Sequence, residues 1–89
     1  NKETAINDIV LVSQAAYLSY SKARMTFCHT DMVYAEHALS QAICQINEIV
    51  YKSIHEYREL KEFNELQELE GELSRALDWL YNVHAAISA

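Results

Sequence analysis

His37, Gln41, Cys44, Glu48, Tyr51 and His55 follow one another in steps of four and three, the spacing that puts all six on one face of a helix. His, Cys and Glu are metal-ligand types. Cys44 has His37 seven residues before it and Glu48 four after it, neighbours of the kind that activate a thiol. A helical ligand pair, however, wants a second His four residues after the first, and none is present. The row therefore reads as a polar, partly aromatic contact surface, with Cys44 an ordinary exposed cysteine. His84 lies at the centre of a separate apolar row, with Glu70 at its edge. As a pair these have the groups to hold a proton or a metal, while a core His bonded to a neighbouring helix is the simpler reading.

Other reaction classes find no support. No nucleophile elbow is present. Di-iron bundles need Glu three residues before a helical His, and Thr26, Tyr34, Lys52 and Tyr81 stand there instead. Work on a dianion would need inward-facing cations, and after Lys2 the first helix has only Lys22 and Arg24. Seven glutamates lie between Glu56 and Glu72, mostly three apart, so they drift around a helix and do not stack into a cation site. The expectation is no catalysis, no cofactor and no tightly held metal, with Asp78 and Glu72 the weak metal candidates.

The 13 acidic residues against 7 basic ones give a net charge of −6, which disfavours both nucleic acid and an anionic membrane surface as partners. No run approaches the ~18 apolar residues of a membrane span. Two cysteines make no disulfide framework and point to a reducing, cytoplasmic setting. The chain opens at Asn1 without Met, as expected of a piece of a longer protein.

With 89 residues, one Gly and no Pro, the chain makes one domain of long helices. The first helix is expected over about Thr4–Phe27, its stripe made by Ile6, Ile9, Ser13, Ala16, Tyr20, Ala23 and Phe27. His29–Asp31 breaks the pattern, with Thr30 or Asp31 as the cap of the next helix. The second helix runs to about Arg58 on Met32, Ala35, Leu39, Ala42, Ile46, Ile49, Ser53 and Tyr57. A second break falls within Glu59–Asn64, and Asn64-Glu65-Leu66-Gln67 has capping-box spacing. A continuous helix through residue 60 is the rival. The third stripe is Leu66, Leu69, Leu73, Leu77, Leu80, His84 and Ile87. The expected fold is all-α, a three-helix antiparallel up-down-up bundle. Its core should hold Ile9, Ala16, Leu39, Ala42, Ile46, Ile49, Leu66, Leu73, Leu77 and Leu80.

Two segments carry a resemblance. Asp31-Met32-Val33-Tyr34-Ala35-Glu36, a loop Asp leading into a helix with Ala four residues on, resembles one signature of PhoU-like domains. Ser74-Arg75-x-x-Asp78 followed by Asn82 resembles the other, with Ser where the family has Glu. The resemblance covers about residues 5–88 as one repeat. It implies a regulatory domain associated with phosphate transport, such as a phosphate-uptake regulator or the cytoplasmic tail of a sodium/phosphate cotransporter. Some members bind metal clusters through acidic pairs, but Ser74, Ser40, Gln41 and Gln45 stand where acids would be needed. A rival is a histidine phosphotransfer domain with His37 as acceptor, although that family wants Lys and Gly where Ser40 and Gln41 stand.

Leu11, Leu18 and Met25 recur every seven residues on the first helix, opposite its core stripe and flanked by Val12 and Ala15. A helix apolar on two sides must be covered on two sides. The expected partner is therefore a protein, either a second copy of this chain or a parent transporter.

Overall fold

The computed structural model of the chain describes residues 2–52 and 61–88. They form three helices: α1 Lys2–Thr26, α2 His29–Lys52 and α3 Lys61–Ser88. No strand occurs among the described residues. The fold is an all-α three-helix bundle.

Each helix buries one periodic row. On α1 it is Ile6, Ile9, Ser13, Ala16, Tyr20 and Ala23, and on α2 Met32, Ala35, Leu39, Ala42 and Ile46. On α3 it is Phe63, Leu66, Leu73, Ala76 and Leu80. Small residues alternate with large ones in the first two rows and let α1 and α2 pack closely, and the large side chains of α3 close the third side. Burying each of these large apolar side chains stabilises the fold by roughly 1.5–3 kcal/mol.

The α1–α2 connection is two residues long and well bonded. Phe27 N–H donates to the Ala23 carbonyl at 2.9 Å, and Phe27 takes a left-handed φ of 50° to turn the chain. The Thr26 hydroxyl accepts from Cys28 N–H at 3.2 Å and donates to Asp31 Oδ2 at 2.8 Å. Met32 N–H donates to the Cys28 carbonyl at 2.9 Å, the first turn of α2. The helix thus starts earlier than the expected cap at Thr30 or Asp31. Cys28 occupies the cap position, and Asp31 sits in the first turn, where its charge suits the helix start.

So short a connection forces α1 and α2 to run antiparallel. The Glu36–His84 contact then aligns the start of α2 with the end of α3, and Tyr20 and Phe27 of α1 both reach Trp79. The order is up-down-up, and the antiparallel run of α2 and α3 excludes one continuous helix through residue 60. Arg24 lies over the rings of both Tyr20 and Trp79, 5.4 and 5.5 Å from their centres.

Several expectations need correction. Asn64 is inside α3, so Asn64–Gln67 is not a capping box; buried Phe63, three residues before Leu66, extends the apolar row instead. Phe27 is exposed because it lies past the end of α1 and turns the chain. Ile87 is exposed because α3 overhangs the level at which α1 ends and α2 begins. Ile49 and Leu77 are only partly buried, flanking the central rows of α2 and α3 and packing against the core from its edge. Ser53, Tyr57, the end of the second helix at Arg58 and the first part of the Glu59–Asn64 break lie outside the described residues.

Two stability measurements check this packing. Leu39→Ala should lower unfolding stability by ~2–5 kcal/mol in urea titration, and half-buried Leu77→Ala by less. Ser13 Oγ is fully buried with no hydrogen-bond partner among the described residues, so Ser13→Ala should stabilise the fold by about 1–2 kcal/mol in the same titration.

Candidate functional site

The outer face of α1 is the largest departure from an ordinary surface. Leu11, Leu18 and Met25 are 63%, 70% and 85% exposed, and Val12 and Tyr17 beside them are exposed as well. The row Asp8, Leu11, Ala15, Leu18, Lys22 and Met25 advances by three and four, as the buried row Ile6, Ile9, Ser13, Ala16, Tyr20 and Ala23 does. A shift of two residues, about 200° around the helix, separates the two rows. One lines the core and the other faces water.

On α2, His37, Gln41, Cys44, Glu48 and Tyr51 are all exposed, as their common spacing requires; His55 lies outside the described residues. Cys44, Glu48 and Tyr51 line a shallow, mainly apolar groove with Ser40, Ile43, Asn47 and Leu77 of α3. Cys44 is a free thiol, and no hydrogen bond joins it to His37 or Glu48. The six-residue row is therefore split: its middle lines a groove, while His37 and Gln41 stand apart from it.

The residues of the two family-like motifs separate too. Asp31 lies in the first turn of α2 and accepts from the Thr26 hydroxyl, and Ala35 is fully buried against the other helices. Arg75, Asp78 and Asn82 are exposed on α3. No ion pair joins Arg75 to Asp78; the Arg75 guanidinium folds back over Gly71, toward the helix start, as long helical side chains do. Glu72 and Asp78 are exposed and six residues apart, on different faces of α3. Among the described residues, no three His, Cys, Asp or Glu side chains are gathered for a metal ion.

His84 does bond to a neighbouring helix, but its partner is not Glu70. Glu70 accepts from Ser74 Oγ at 2.8 Å, more than three turns away along α3. The half-buried His84 places Nδ1 2.8 Å from Glu36 Oε2, and Nε2 3.2 Å from Nδ1 of exposed His29. Glu36 and His29 escaped the sequence reading, yet a signal was present. They stand seven residues apart, in phase with Met32 and Leu39, so they edge the buried face of α2.

No described helix is long and apolar enough to cross a membrane. Comparison of the chain with protein-family models, with curated proteins and with solved structures found no match.

The Glu36–His84 bond ties α2 to α3 in a partly dry setting. Removing its acceptor in Glu36→Ala should lower stability by roughly 1–2 kcal/mol, read from urea unfolding, while Glu48→Ala on the exposed face should change it by under ~0.5 kcal/mol.

Proposed function

We propose that this chain is a non-catalytic regulatory domain that works by protein contact, pairing the outer row of α1 with the same row of a second copy. The observation that carries the reading is the exposed line of Leu11, Leu18 and Met25. Apolar rows of this length on a small surface mark interaction sites. The row is also complementary to its own reverse. Laid antiparallel about Ala15, Asp8 falls opposite Lys22, and Leu11 falls within one residue, about 1.5 Å along the axis, of Leu18. A two-fold axis through Ala15 sets the charged pairing and keeps the leucines within that small offset, and the small side chain there lets the helices approach. Lys22 pairs with Asp31 at 3.8 Å, a largely exposed and weak contact that does not compete strongly.

The resemblance of Asp31–Glu36 and Ser74–Asn82 to PhoU-like signatures supports a regulatory role around phosphate transport in the cytoplasm. Two-repeat members of that family pack one repeat on another, and a single repeat restores such a contact by dimerising. A second reading, phosphotransfer through His37, draws on the exposure of that ring on α2. Incubation with a phosphorylated receiver domain, followed by mapping of label to His37, would establish it.

Sedimentation at micromolar concentration tests the pairing. The wild type should run as a dimer and Leu18→Glu as a monomer. Asp8→Lys should weaken the dimer at low salt, and Asp8→Lys with Lys22→Asp should restore it. A monomeric wild type, or a Leu18→Glu variant that still dimerises, rejects the reading.

A further inference from the structure

At the end of the bundle beside the α1–α2 connection, Glu36, His84 and His29 form a chain that the contact surface on α1 does not use. The Glu36 carboxylate accepts the Nδ1–H of His84 at 2.8 Å. That bond puts the single proton of the neutral ring on Nδ1 and leaves a lone pair on Nε2. This Nε2 faces Nδ1 of His29 at 3.2 Å. Two ring nitrogens this close must share something, either a proton or a metal ion.

The ring positions suit both, since a metal ion takes the place of the proton in such a bond. A straight N–H···N bond points the rings at each other and sets their centres about 5.5 Å apart. Two imidazoles that converge on one tetrahedral ion, at the ~2.0–2.1 Å of a zinc–nitrogen bond, have nitrogens about 3.3 Å apart and ring centres about 5.2 Å apart. Here the nitrogens are 3.2 Å apart and the ring centres 4.9 Å apart, with the planes inclined at 71°. The rings are therefore not collinear: the contact between them is bent, as it is for two nitrogens that share one ion, and His29 is exposed.

We infer that His29 Nδ1 and His84 Nε2 form a two-nitrogen site for a divalent transition-metal ion of the zinc type. Glu36 is the carboxylate that orients the ligating His84 ring, the outer-shell arrangement common at histidine-bound metals. For His29 to ligate through Nδ1, its proton sits on Nε2, which faces away from the ion. No third protein ligand is gathered among the described residues, so water completes the coordination and the ion exchanges freely. Such a site is distinct from a tightly held cluster. A bound ion would tie the first turn of α2 to the last turns of α3 and stabilise the fold by mass action.

The test is zinc titration of the full chain after chelator treatment, by calorimetry and by NMR of the imidazole nitrogens. The wild type should take up one zinc ion, with shifts at His29 Nδ1 and His84 Nε2. His29→Ala removes an exposed ring and should keep the fold by circular dichroism while losing the zinc. Glu36→Gln should bind 10- to 100-fold more weakly, and His37→Ala as the wild type does. No zinc uptake by the wild type, or equal uptake by His29→Ala, overturns the site. Because Leu18→Glu leaves these residues untouched, its zinc binding separates this inference from the dimer: it should be unchanged.

Discussion

The close approach of α1 and α2 sets the rest of the molecule. Ser13, Ala16 and Ala23 on one helix and Ala35 and Ala42 on the other are the small residues of the central rows, between which Ile9, Leu39 and Ile46 fill the remaining space. The connection of Phe27 and Cys28 is short enough to hold that approach at one end. Thr26 and Asp31 complete it by satisfying groups that a helix end would otherwise leave to water. Once these two helices are locked, α3 has one groove left to occupy. Its Phe63, Leu66, Leu73 and Leu80 supply the volume that the alanines do not.

Three helices cover little of one another, and this governs the surface. A helix in such a bundle buries one broad stripe, so the second apolar row of α1 is left exposed by the described residues. A core built from so few side chains also leaves a small stability margin. Covering Leu11, Leu18 and Met25 with another protein answers both conditions. The fully buried hydroxyl of Ser13 shows the same compromise from inside: it is small enough for close packing but has no hydrogen-bond partner among the described residues.

The polar end of the bundle follows from helix lengths. α3 continues past the level of the α1–α2 connection, so His84 emerges from the core where α2 begins. It reaches Glu36 and His29 there because α2 and α3 run antiparallel. At the same level Trp79 gathers Tyr20, Arg24 and Phe27 from α1. One end of the molecule therefore concentrates its aromatic and imidazole contacts, while the outer row of α1 runs along its length.

Spacing alone determined the helical class, the phase of all three buried rows and the two-sided character of α1. Each is a property of residues three, four or seven apart on one helix, where local geometry leaves little choice. The start of α3 was misread for a related reason. Asn64–Gln67 is locally adequate as a cap, but burial of Phe63 against other helices outweighs that preference. The tertiary structure alone decided which helix His84 meets, because Glu36 lies 48 residues away and Glu70, nearer in the chain, is too far along the same rigid rod. It also decided that Cys44 and Tyr51 face a groove with Leu77 while His37 does not. Contacts between helices depend on axial offset and crossing, and these are set by the packing of whole rows.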